Sequence, residues 1–206
     1  MNPALPVTST QKLTFSGKVV DLANFTSEDF EPIDAFIALA RTARWGGHTS
    51  KPYSVLQHSM ACAMIDRQHA AYWLLHDIAE AYIGDVPTPL KQACPAIRDF
   101  EHQIRLEIFD CFDEHFAHYD SDPDKAMLVI EYENLMPVTP RWQPDFPEAI
   151  NKEEAQAVFE AVSEMTPKSL ITQALTTIYH EADDSYFAKK WMPLADALTL
   201  LKEAQF

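Results

Sequence analysis

Residues 70–91, AAYWLLHDIAEAYIGDVPTPLK, set a histidine and an aspartate side by side, His76 and Asp77, in an apolar helical run. Such groups are costly to bury unless something pairs with them. Glu80 follows one turn on, and the run ends in a GDVPTPLK corner that holds Asp85 and Lys91. His58 lies nine residues before Arg67, and His76 lies nine after it. If Arg67 sits in the connector of a helical hairpin, a rise of about 1.5 Å per residue brings the two imidazoles level on antiparallel helices. Asp77 then points about 100° further round the helix than His76, while Glu80 shares the His76 face. Imidazole nitrogens with carboxylate oxygens suit a divalent transition metal: manganese, iron, cobalt, nickel or zinc. A further carboxylate must come from elsewhere, and Asp124 is the choice. A cation held so, with positions open, acidifies water enough to make a nucleophile near neutral pH.

The elements that must position these groups are helical. Four glycines in 206 residues leave little material for the turns of an all-β fold. The expected class is all-α, with a short β-hairpin around Ser16–Gly17 in residues 13–22 after a loose tail, 1–12. Apolar residues at helical spacing predict helices over 31–44, 53–65, 69–83 and 95–118. Another opens at Ser121-Asp122-Pro123 and carries Asp124, Leu128, Glu131 and Leu135. The segment 137–150 reads as irregular, anchored by Trp142 and Phe146. Asn151 with Glu154 resembles a capping box, and Thr166-Pro167 an N-cap with a first-turn proline. A last helical stretch holds Phe187, Trp191, Leu194, Leu198 and Leu201, broken at Pro193. The expected organisation is a domain over 13–165, with 166–206 as a helical extension packed on it.

Composition narrows the classes. The hydrophobic fraction of 47% marks a globular chain. A net charge of −15 argues against nucleic-acid polymers as partners, though not against a small phosphorylated substrate. Cys62, Cys94 and Cys111 form neither a disulfide framework nor a C-x-x-C pair. No secretory leader and no membrane span is expected, so the natural home is a reducing cytoplasm. Asp113, His115 and His118 form only a loose cluster.

Three segments together resemble the HD-domain metal-dependent phosphohydrolases. They are RWGGHTSKPYSVLQHS (residues 44–59), LLHDIAEAYIGDVPTPLK (74–91) and DKAMLVIEYENLMP (124–137). A weaker SGK turn near Gly17 joins them, so the resemblance covers about residues 13–137. It is most specific to the small bacterial 5′-deoxynucleotidases and their prophage and phage relatives, which include deoxyadenosine triphosphohydrolases. The resemblance implies an HD-type helical fold with His58, His76, Asp77 and Asp124 as metal ligands and Glu80 as the acid/base. By the same resemblance Arg44 holds phosphate, Trp45 packs on the sugar and Asp85 meets its 3′-hydroxyl. His48 either touches phosphate or is a rival first ligand, and Lys91 helps with phosphate charge. Glu131 matches a recurrent family acid, to be read as catalytic or as a helix brace. Tyr132-Glu133-Asn134 departs from the basic residues usual there. The implied substrate is a 2′-deoxynucleotide, cleaved as the monophosphate or, alternatively, as the triphosphate. A non-catalytic nucleotide-binding regulator is the contrasting reading. A homo-oligomer, dimer or higher, is expected by analogy and from the aromatic-rich tail.

Overall fold

A computed structural model describes residues 10–112, 122–138, 145–182 and 188–206. The expectations for Asp113, His115, His118, Trp142 and Phe187 fall outside these residues. The described residues are mostly helical, with a two-stranded antiparallel hairpin near the N-terminus. Strands β1 (Gln11–Leu13) and β2 (Val19–Asp21) pair with Lys12 opposite Val20. Pairing thus begins two residues inside the stretch expected to be tail. The hairpin turn is tied down by the buried Asp34, whose carboxylate accepts from Thr14 Oγ1, Ser16 N–H and Ser16 Oγ.

Helix α1 (Pro32–Arg41) starts on a first-turn proline and buries Ile33, Phe36 and Ile37 as the spacing predicts. Helix α2 (Val55–Ile65) is apolar nearly all round, with eight of its eleven residues buried. A helix of that kind belongs in the middle of a fold. It lies against α1, against α3 (Ala70–Leu75), α7 (Asp122–Leu135), α8 (Lys152–Ser163) and α9 (Pro167–Glu181). Ser54 fixes where it starts: its hydroxyl accepts the Gln57 N–H, and Gln57 Oε1 accepts the Ser54 N–H in return.

The caps read in the sequence form at Asn151, which accepts from Glu154 N–H, and at Thr166, which accepts from Ser169 N–H. Helix α9 buries Ile171, Ala174, Leu175 and Ile178 against α1, α2 and α3, and α10 (Leu194–Glu203) packs on α9 after the expected break at Pro193. Among the described residues, no helix is long and apolar enough to cross a membrane.

Two expectations need correction. The helix expected over 69–83 is two pieces, α3 and α4 (Glu80–Ile83), separated by tighter turns. The helix expected over 95–118 is α6 (Pro95–Phe109) and ends in turns before Phe112. A short helix that was not foreseen, α5 (Thr88–Ala93), fits between them, with Pro89 in its first turn where a proline costs no hydrogen bond.

Candidate metal centre and cleft

Helices α2 and α3 do bring His58 and His76 together, with ring centroids 5.3 Å apart. Each ring is oriented from behind. His76 Nδ1 lies 2.7 Å from the Trp73 carbonyl oxygen, which can only accept, so the proton is on Nδ1 and Nε2 offers a lone pair. That Nε2 is buried and has no hydrogen-bond partner among the described residues. His58 Nδ1 sits 2.7 Å from Glu131 Oε1 on α7. Both Nε2 atoms face carboxylate oxygens: His76 Nε2 is 3.2 Å from Asp77 Oδ2, and His58 Nε2 is 3.2 Å from Asp124 Oδ1 and 3.9 Å from Asp77 Oδ2.

The break in the expected helix decides which way Asp77 and Glu80 face. The Trp73 carbonyl accepts the His76 side chain, and beyond it the backbone bonds shorten to i→i−3. Ile78 bonds Leu75, Glu80 bonds Asp77, and Ala81 bonds Ile78 at 3.0 to 3.1 Å. In such a 3₁₀ stretch, side chains three apart eclipse each other. Asp77 and Glu80 both line the cleft, and His76 is buried and not among its lining residues. Gly84 then ends α4 at φ +85°, a backbone region open to glycine, and turns Asp85 back toward Trp45.

The cleft has a volume of about 650 Å³, within the usual range for small-molecule sites. It is lined by the charged groups Arg44, Asp77, Glu80, Asp85, Lys91 and Asp124, and by Trp45, Leu128, Tyr132 and the Val86–Pro89 corner. Arg44 Nε is 3.1 Å from Glu131 Oε2, while its two terminal nitrogens lie 3.6 Å from Asp77 and 3.9 Å from Asp124. Trp45 has φ +59°, a left-handed conformation rare for an aromatic residue. Its N–H donates to Asp85 Oδ2, its indole N–H to Glu131 Oε2, and its ring meets Tyr132 edge-on. Lys91 pairs with Glu101 at 2.6 Å and approaches Glu80 at 3.7 Å. His48 is exposed and is not among the cleft-lining residues.

The electrostatics favour positive charge here. Burial and the Arg44 charge oppose protonation of His58, yet Cys62, Glu131 and Asp124 lift its pKa well above the imidazole value. Burial presses the Asp77 carboxyl upward, but His76, Arg44 and His58 outweigh it and hold Asp77 well below the usual range. Glu80 goes the other way: burial, then the charges of Asp77 and Asp85, push it up to about 9. Four carboxyl groups face two cations in the cleft lining.

The residues present fit a divalent cation on chemical grounds. His58, Cys62 and His76 are all buried, and their ligand atoms lie within 4.8 Å of one another. In the sequence Cys62 stands out only as a cysteine too isolated for a disulfide. Its signal is the spacing of four from His58, which puts both on one face of α2. Glu131 emerges as a brace that touches His58, Arg44 and Trp45 at once.

No family model matches the chain. It is similar to the uncharacterized protein YfdR of Escherichia coli, at 37% identity over 92 residues, 44% of this chain and 52% of YfdR. It is also similar to an uncharacterized protein of Rhodobacter capsulatus, at 38% identity over 88 residues, 38% of this chain and 45% of that protein. The chain spans about half the length of these curated relatives.

Proposed function

We propose that this chain is an HD-domain phosphohydrolase that releases phosphate from 2′-deoxynucleoside 5′-monophosphates. The observation that carries the reading is the approach of two oriented imidazole nitrogens to oxygens of Asp77 and Asp124, two carboxylates that line a nucleotide-sized cleft. His58, His76, Asp77 and Asp124 hold a divalent transition metal. Bound there, it supplies Lewis acidity that lowers the pKa of water and offsets the acidic lining when an anionic substrate arrives. Arg44 keeps its Nε on Glu131 and offers its terminal nitrogens to phosphate oxygens, where a guanidinium can form paired bonds. Glu80 stands in the cleft to pass a proton to the 5′-oxygen as its bond to phosphorus breaks and water adds. Trp45 closes one side of the sugar, so that a 2′-hydroxyl there would lose its solvation. Asp85, already holding the Trp45 backbone, faces the 3′-hydroxyl.

The test is an assay of deoxynucleoside and ribonucleoside mono- and triphosphates with manganese or cobalt. Phosphate release from deoxynucleoside monophosphates is expected, with ribonucleotides slower. Release of triphosphate instead would move the activity to the triphosphohydrolase class, and no turnover of any of them would sink both. His76→Ala and Asp77→Ala should each lose turnover and bound metal.

A further inference from the structure

We infer that Cys62 is a thiolate ligand to the cation held by His58 and His76, which makes the centre a borderline-soft one suited to zinc or cobalt. This rests on the reading that a cation occupies the centre, and it adds a ligand that the carboxylate set does not contain. Cys62 lies one helical turn beyond His58 on α2 and is fully buried. A buried cysteine usually acts as a small apolar group, but this sulfur points at imidazole nitrogen. Its distance to His58 Nε2 is 3.7 Å. Zinc bonds of about 2.3 Å to sulfur and about 2.0 Å to nitrogen, at a tetrahedral angle, place the two donors about 3.5 Å apart.

A second observation, independent of the cysteine, points to the same spot. His76 Nε2 has no hydrogen-bond partner among the described residues, and His76 is only 8% exposed. Its lone pair lies within 4.8 Å of both the sulfur and the His58 nitrogen. With its proton on Nδ1, His76 turns the Nε2 lone pair toward the Asp77 carboxylate at 3.2 Å, an unfavourable pairing of two acceptors that an S–H on His58 does nothing to relieve. A cation satisfies both imidazole nitrogens. On binding, the sulfur–cation bond replaces the S–H bond, and the proton leaves to solvent. Thiolate sulfur favours zinc and cobalt over manganese and magnesium, so the centre is expected to choose the first pair.

The experiment is cobalt titration of the full chain followed by absorption spectroscopy. The wild type should take up cobalt and show near-ultraviolet sulfur-to-cobalt charge-transfer absorption. Cys62→Ala, and Cys62→Val as a packing-preserving second variant, should lose that absorption and bind cobalt at least ten-fold more weakly, with circular dichroism reporting an intact fold. If either variant fails to fold, the wild-type spectrum alone decides. Cobalt uptake without the absorption, or variants that keep wild-type affinity, overturns the thiolate. A wild type that binds no cobalt overturns both this inference and the proposed centre. The absorption without deoxynucleotide hydrolysis supports the thiolate and removes the phosphohydrolase.

Discussion

Replacing Glu131 with glutamine tests the link between the buried brace and the centre. The wild-type carboxylate is wholly buried and faces three donors: His58 Nδ1 at 2.7 Å, Arg44 Nε at 3.1 Å and Trp45 Nε1 at 2.9 Å. An amide has one oxygen. If it faces Arg44 and Trp45, its NH₂ meets His58 Nδ1 and forces the other tautomer, which turns the Nε2 lone pair into an N–H. If it flips, Arg44 and Trp45 both face a donor. Breaking a buried charge pair by removing one partner costs about 3–5 kcal/mol. At about 2–4 °C per kcal/mol for a chain of this size, the midpoint of thermal unfolding should fall by roughly 10 °C. Cation affinity should drop about 10- to 100-fold, as it does when a ligand histidine loses its outer partner. The pH dependence follows from the same carboxylate. Burial would raise its pKa, but Arg44 and His58 outweigh burial and hold it low. Its stabilisation is therefore present above the unfolded carboxylate range and lost as pH falls through the depressed folded value. The gap between Glu131→Gln and wild type should narrow in acid. Calorimetry of unfolding and of cation binding checks both effects. A variant that unfolds within a degree of wild type and binds the cation equally well would refute the bracing role.

Gly84→Ala meets no atom within 4 Å of its new Cβ, so its cost is backbone strain alone, about 1–3 kcal/mol at that φ and ψ. It should lower the unfolding midpoint by several degrees and raise KM for a deoxynucleotide, because Asp85 is aimed by this residue; an unchanged midpoint would count against it. Glu31 is buried with Oε1 unpartnered, and burial raises its pKa, so its contribution is most favourable below the ordinary carboxylate range and declines as pH rises through the folded value. Unfolding of Glu31→Gln measured against wild type should show a difference that shifts in the variant's favour with rising pH, and a flat difference would reject the sign. Leu13, Phe15 and Phe206 are exposed, and Phe15 and Phe206 each lie against the Arg41 guanidinium. Sedimentation should report an oligomer, and a single 23.4 kDa species would remove that expectation.

The parts of the fold that could be read in advance are those set by local chemistry. Ile33, Phe36 and Ile37 mark the buried stripe of α1, and Asn151 and Thr166 sit where their caps form. The level meeting of His58 and His76 follows from helical rise alone. What could not be read depends on contacts between distant segments. The tightening after Leu75 needs the His76 ring to take the Trp73 carbonyl, a rotamer choice made by the packed site. The left-handed backbone of Trp45 is held by Asp85 and Glu131, 40 and 86 residues away. A periodicity argument has no access to such bonds. Nor could spacing show that Glu131, 73 residues along the chain, meets His58 at the ring nitrogen opposite the one near Cys62.

The loop that carries Trp45 has closed ends. Ala43 and Ser54 form an isolated antiparallel bridge, with Arg44 N–H on the Tyr53 carbonyl and Val55 N–H on the Thr42 carbonyl. Ser54 is also the cap that sets the start of α2 and hence the height of His58. One clasp therefore fixes Arg44 and His58 relative to each other, whatever the residues between them do. Lengthening a closed loop is cheap, at about 0.6 kcal/mol per doubling. Residues 46–52 can thus change in length and chemistry while Arg44 and His58 stay in register.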